Sequence, residues 1–302
     1  MTNGIDSSTQ KFLSDLAVIQ ARSERAQRQL SSGLRITVAS DAPDEISHLL
    51  QVRVNLQQNT QVTQNLASVR TEVDTAEQAL SDATTLLDHV RVLGTQGATG
   101  TQSASANRIL GDQVGGLMER LVSLSNTSVQ GRQIFSGDSD QNNAYSLDAS
   151  QPNGVSAYGG SAATRQAQHP SGTSFAIAKS ANEIFDDPSA RNSVFGAVNA
   201  LQIALTNNDS VGIRTAVGNL STAADFLNSK LAFYGNAQNQ VVEAIDFGSK
   251  NDVRLKTELS SLQDADLTQA ITELTQSKFN EQAAMQARAS VPKTSLFDYL
   301  FR

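Results

Sequence analysis

Apolar residues return at alternating steps of four and three along most of this chain, the spacing that keeps one stripe on one side of an α-helix. The first run extends from about Ile5 to Leu30 and brings Phe12, Leu16, Ile19, Ser23, Ala26 and Leu30 onto one seam. Gly33 closes it, because glycine enters the left-handed conformation without steric cost, and a short extended link, Leu34 to Ala39, follows. A second helix is predicted to restart at Pro43, a residue suited to the first helical position, with Asp44 and Glu45 placing negative charge on the amino-terminal dipole. From there Leu66, Val69, Val73, Ala76, Leu80, Ala83, Leu87 and Val90 hold the same spacing. The glycines at 94, 97 and 100 predict a break, after which the seam resumes as Leu110, Val114, Leu117, Leu121 and Leu124.

Between about Ser136 and Asp187 the character changes to Gly, Ser, Asn, Pro and Tyr, with turns at Asn153-Gly154 and Tyr158-Gly159-Gly160 and short apolar runs such as Phe175-Ala176-Ile177. This predicts a small β-rich insertion or a set of hairpins. Helical periodicity returns near Asn192 and then runs through Ile213, Val217, Leu220, Ala224, Leu227, Leu231, Tyr234, Gln238, Val241, Ile245, Gly248, Asp252, Leu255, Leu259 and Leu262. As one helix that run would span roughly 75–80 Å. A last helix, around Leu267 to Arg288, ends before Pro292 and leaves an apolar tail from Ser295 to Phe301.

One seam cannot hold so long a helix in water, so the carboxy-terminal helix requires others beside it, and the amino-terminal seams running antiparallel to it are the candidates. The expected fold is mainly α: a long antiparallel helical bundle or coiled coil built from both chain ends, with a small β-rich middle insertion domain, a rod with a knob. The expected divisions are an amino-terminal assembly helix and link at 1–40, rod helices at 41–135, the exposed insertion at 136–190, returning rod helices at 191–263, and a carboxy-terminal assembly helix and tail at 264–302. The seams of the two extreme ends lie beyond the reach of the central hairpin. Without an intrachain core they would order only against neighbouring subunits.

Composition narrows the chemistry. There is no cysteine, which excludes disulfides, thiolate metal sites and a cysteine nucleophile, and no tryptophan. A formal net charge of −7 with scattered Lys and Arg disfavours a nucleic-acid footprint and points to protein partners. No stretch reaches the roughly 18 apolar residues of a membrane span, and the amino terminus shows neither a basic cluster nor an apolar run.

Candidate chemical motifs read as structural. Gly94, Gly97 and Gly100 match neither a dinucleotide-binding nor a P-loop spacing. The run Asp138 to Asn143 opens like a calcium loop, but Asn143 and Ala149 occupy the positions that need glycine and glutamate. His48, His89 and His169 lie far apart in sequence, and Asp264 and Asp266 fall where one helix ends and another begins, the place of capping carboxylates. No cofactor or metal is expected.

The two ends carry a family likeness. Leu30-Ser31-Ser32-Gly33-Leu34-Arg35-Ile36, followed by Ser40-Asp41-Ala42-Pro43, resembles the LSSGxRI…(S/K)DDxA block near the amino terminus of bacterial flagellins, and Asp264-Ala265-Asp266 is similar to their carboxy-terminal block. Pro43 in place of an alanine, Gly131-Arg132-Gln133-Ile134-Phe135-Ser136-Gly137 and Ser295-Leu296-Phe297-Asp298-Tyr299-Leu300 resemble the hook-associated branch of that superfamily, the hook–filament junction subunits. Gln133 and Ile134 depart from its usual pair, and Phe301-Arg302 extend past its usual end. The likeness covers roughly residues 1–140 and 190–302.

The resemblance implies a structural subunit that assembles helically between hook-associated protein 1 and filament flagellin. It also implies export through the flagellar type III channel without a cleaved signal, with a flagellar export chaperone beforehand, and a place in the extracellular flagellum. The residues expected to carry self-assembly are Phe12, Leu16, Ile19, Leu30, Gly33, Arg35, Ile36, Asp41, Pro43, Leu267, Ile271, Leu274, Leu296, Phe297 and Leu300. Filament flagellin itself, a cytoplasmic coiled-coil adaptor and an enzyme using carboxylates of the insertion are the other readings.

Overall fold

A computed structural model describes residues 7–100, 102–187 and 193–290. Its helices are α1 (Ser7–Ser32), α2 (Pro43–Ala98), α3 (Ala104–Ser125), α4 (Ala181–Phe185), α5 (Val194–Thr206), α6 (Ser210–Gln263) and α7 (Leu267–Ser290). Four short strands form two antiparallel hairpins: β1 (Ser128–Val129) with β2 (Arg132–Gln133), and β3 (Gln166–Gln168) with β4 (Ser174–Ala176). The chain divides into two compact units, Met1–Gln58 with Asn251–Arg302, and Asn59–Lys250.

The larger unit is organised by two ladders of seven-residue period. Leu66, Val73, Leu80 and Leu87 of α2 are buried, as are Ile213, Leu220, Leu227, Tyr234 and Val241 of α6, so each helix keeps one stripe inside over its whole length there. The α2 ladder has a polar member, Asn59, 5% exposed, and the α6 ladder has Gly248. The Asn59 amide donates to the Gly248 carbonyl at 2.9 Å, and a side chain at 248 would collide with Thr63 Oγ1, so the missing Cβ makes the room. Val114 and Leu121 of α3 and Phe195, Leu201 and Leu205 of α5 complete the helical core.

The middle segment is hairpins and turns rather than a sheet. Val129↔Arg132 closes β1–β2 through Gln130 (φ 54°) and Gly131 (φ 78°), a two-residue turn with both centres left-handed. Its apolar side chains belong to the same core as the helices. Phe135 meets Phe185 and Tyr234 edge-on at 6.2 Å each, and Tyr145 meets Phe195 at 5.0 Å. Asn126, just past α3, fastens the segment by accepting the amides of Ala144 and Tyr145 (2.7 and 3.2 Å) and donating to the Tyr145 carbonyl (2.7 Å). An ion pair between Arg165 and Glu72 ties it to α2.

One sequence expectation is corrected. The break assigned to the glycines at 94–100 is confined to residues beyond Ala98: Gly94 and Gly97 lie inside α2, and Gly100 alone takes a positive φ, 69°. The reason is close packing. A methyl group at Gly94 would sit 2.8 Å from Val217 Cγ2, and one at Gly97 would overlap Leu205 Cδ2 in the core.

A glycine-to-alanine change inside a helix usually stabilises by about 1 kcal/mol. Gly97→Ala is expected to do the reverse, lowering stability by about 1–3 kcal/mol through overpacking. Gly116→Ala, on the open side of α3, should stabilise by roughly 0.5–1 kcal/mol. Thermal melts of the two variants followed by circular dichroism check the difference in sign.

Candidate functional site

The smaller unit holds the joined ends of the chain, and its local sequence explains the joint. α1 stops where Gly33 turns left-handed at φ 72°, its amide donating back to the Gln29 carbonyl at 2.8 Å. Leu34 then forms an isolated antiparallel bridge with Asp264. Arg35 N donates to the Gln263 carbonyl at 2.6 Å, and Ala265 N donates to the Gly33 carbonyl at 2.9 Å.

The Arg35 side chain extends this clasp to a third element. Its guanidinium pairs with Glu45 in the first turn of α2, with the Nη1–Oε1 bond at 3.3 Å, while Nη2 donates to the Leu262 carbonyl at 2.7 Å. Farther along, Arg53 Nη2 donates to Gln263 Oε1 at 2.6 Å, and His48 lies 3.2 Å from Glu258. The link is closed by a short 3-10 turn, Ala39–Asp41, so the extended stretch ends one residue earlier than the sequence suggests. Asp41 Oδ2 accepts the amides of Thr37 and Val38 at 3.0 Å each and the Thr37 hydroxyl at 2.9 Å. Asp266 Oδ1 accepts the amides of Thr268 and Gln269 (2.9 and 3.0 Å), the capping role expected of it.

Both acidic groups at the link have depressed pKa values. Partial burial of Asp41 favours its neutral form, but the hydrogen bonds from Val38 and Thr37 outweigh it and hold the carboxyl below the usual range. For Glu45 the leading cause is the hydrogen bond from the Arg35 fork.

α1 and α7 lie antiparallel. Gln20 Nε2 donates to Glu281 Oε1 (3.1 Å), Arg288 Nη2 to Thr9 Oγ1 (2.6 Å), and the Arg288 guanidinium sits 5.7 Å from the Phe12 ring centre. The terminal stripes, which lie beyond the reach of the central hairpin, therefore meet each other. The buried residues of the two helices are small ones, Ala270 and Ser277 on α7 and Ala26 on α1.

The pair covers only part of its own apolar surface. Phe12, Leu16, Ile19, Leu30 and Leu274 are half-buried, whereas Leu267 and Ile271 are 49% and 55% exposed. Phe279, Met285, Leu13 and Val18, which periodicity did not single out, are at least half exposed too. Of the seventeen large hydrophobic side chains exposed among the described residues, ten belong to this smaller unit, whose buried apolar residues are mainly Ala26, Ile36, Leu49, Val52, Leu255 and Ala270. Ile36 is buried and Pro43 opens α2, so these two build the joint rather than an outer face. Leu296, Phe297 and Leu300 lie outside the described residues.

Among the described residues no group of three or more His, Asp or Glu could hold a metal ion, and no helix is long and apolar enough to cross a membrane. Asp140, in the stretch with a calcium-like opening, is paired with Arg132 at 2.6 Å. His169 accepts the Ser171 amide at Nδ1 and sits at a tilt against the Phe247 ring.

These features define a helical subunit whose two chain ends are knitted into one unit with apolar stripes left uncovered. Residues 3–140 match the bacterial flagellin N-terminal helical region and residues 215–300 the bacterial flagellin C-terminal helical region. The chain belongs to the bacterial flagellin family. It is 26% identical over 289 residues to the flagellin of Bacillus subtilis (strain 168), covering 92% of each chain. It is 27% identical over 168 residues to flagellar hook-associated protein 3 of Escherichia coli (strain K12), covering 55% of this chain and 51% of that one. The crystal structure of flagellar hook associated protein-3 from Legionella pneumophila shares the fold, with a TM-score of 0.62 and 12% identity over 70% of this chain and 98% of that one.

A carboxylate whose folded pKa is depressed contributes stability above its unfolded pKa and loses that contribution as pH falls through the folded value. Asp41→Ala is therefore expected to destabilise the smaller unit by about 1 kcal/mol at neutral pH. The gap between variant and wild type should narrow as pH falls below the ordinary carboxylate range. Amide exchange of α1 and α7 across a pH series measures it.

Proposed function

We propose that this chain is a structural subunit of the bacterial flagellum that forms the hook–filament junction, assembling with copies of itself through α1 and α7. The observation that carries the reading is the uncovered stripe on the paired ends, Leu267 and Ile271 on α7 with Leu13 and Val18 on α1, in a unit with few buried side chains of its own. Burying apolar surface between subunits stabilises the assembly by roughly 25 cal/mol per Å², and helices packed side by side provide the geometry. The shared fold with hook-associated proteins favours the junction, and with it hook-associated protein 1 and filament flagellin as neighbours on either side.

Export through the flagellar type III channel, with a chaperone shielding the stripes beforehand, fits a chain without cysteine cross-links. Leu30 and the described seam residues Phe12, Leu16, Ile19 and Leu274 act by holding the pair together. Gly33, Arg35, Ile36, Asp41 and Pro43 act by fixing the joint.

Filament flagellin is the second reading, favoured by the match to the Bacillus subtilis protein over nearly the whole chain. Seeded polymerisation separates the two: purified protein added to hook-like seeds should stop at short oligomers, and long filaments would assign it to the filament instead. Ile271→Glu should leave the monomer's melting within about 0.5 kcal/mol, since its side chain is exposed, yet remove seeded assembly in sedimentation. Assembly as efficient as wild type would defeat the role of the α7 stripe.

A further inference from the structure

We infer that Arg35 holds open a bend between α6 and α7 in a segment whose own residues suit one continuous helix, and that it is thereby the positioning residue for the α7 stripe.

From Ser249 to Val291 the sequence contains neither glycine nor proline. The junction on the other side of the clasp, from α1 to α2, is built differently, with Gly33 at φ 72° and Pro43 at the head of α2. Ala265 at the middle of the α6–α7 bend is the strongest helix former of all, so nothing in residues 263–265 forbids continuation.

Hydrogen bonding shows what stops it. A continuous helix would give the Leu262 carbonyl to the amide of Asp266 and the Gln263 carbonyl to the amide of Leu267. Both carbonyls are taken by Arg35 instead: Leu262 accepts Nη2 at 2.7 Å and Gln263 accepts the backbone amide at 2.6 Å. The Ala265 amide, which would turn back to the Ser261 carbonyl, donates to Gly33 at 2.9 Å. The last regular bond is from Asp264 N to Ser260 O at 2.9 Å. Asp266 is a local signal for the bend, since it caps the amides that begin α7. It offers nothing to the orphan carbonyls that end α6, and a helix needs both ends satisfied. Arg35 supplies that second half from 227 positions away, and Glu45, gripping the same guanidinium, keeps residue 35 in place.

The segment thus has two arrangements, bent while the clasp is formed and straight when it is released. Merging α6 with α7 redirects Leu267 and Ile271 and separates α7 from α1, so the clasp decides which way the apolar stripe is presented. The consequence for assembly rests on the proposed function; the bend itself does not.

The test uses dilute full-length protein labelled with 13C at Ala and Leu, in which Cα shifts report helicity residue by residue and no assembly is involved. In wild type, Ala265 should show a non-helical Cα shift. In Arg35→Gln, Ala265 should move downfield to a helical value, and exchange of the Asp266 and Leu267 amides should slow as they gain carbonyl partners. Adding Ala265→Gly to that variant should return the Leu267 amide to fast exchange, because glycine disfavours the merged helix. An unchanged Ala265 shift in Arg35→Gln overturns the inference. Loss of helical shifts at Ala270 and Ala284 in that variant also overturns it, since Arg35 would then be keeping α7 folded rather than bending it. Either failure leaves seeded assembly of the wild-type protein unaffected, so the assembly reading is judged separately.

Discussion

The exchange of hydrogen bonds between residues 33–35 and 262–265 is the constraint on which the smaller unit depends. Three backbone and side-chain bonds there join positions more than two hundred residues apart. They set the antiparallel partnership of α1 with α7, and the Arg35–Glu45 pair fastens the same point to the start of α2. Exposed ion pairs contribute little singly, but here the backbone bridge already holds Arg35 and the first turn of α2 holds Glu45, so less freedom is lost in forming it.

The two units differ in how they are stabilised. The larger one has an apolar core running from Leu66 to Val241, with the aromatic side chains of the middle segment set against α5 and α6. That core explains why a segment with only short hairpins is ordered. Phe135, Tyr145 and Phe185 are anchored in helices' packing rather than in a sheet of their own. The smaller unit buries mostly short side chains on α1 and α7 and leaves many of its larger ones exposed. A helix pair of that kind is marginal alone, because few apolar contacts oppose the entropy of ordering it. In the proposed assembly neighbouring subunits would supply the missing contacts, making folding of the ends and assembly parts of one process.

Much of this was legible in the chain. The steps of four and three mark the helices because 3.6 residues per turn return every such position to one face, and the buried residues of α2 and α6 follow them closely. Gly33, Pro43 and Asp266 sit at helix ends for reasons local to each residue, and the LSSG block was readable as family likeness before any contact was known. The glycines misled at positions 94 and 97. Glycine in a sequence signals a backbone that can turn, and equally one that must be approached closely; α5 lying against α2 decides for the second.

What the sequence determined by itself is therefore the set of helices, most of their ends, the absence of thiol chemistry and the presence of more apolar stripe than a single hairpin hides. Only the tertiary structure decided which stripe meets which. A stripe records that a face must be dry and carries no name for its partner, so the pairing of α1 with α7 could not be read from either helix. The bend at residues 264–266 shows the same limit most clearly, for the carbonyls that end α6 are satisfied by an arginine that no local rule could bring there.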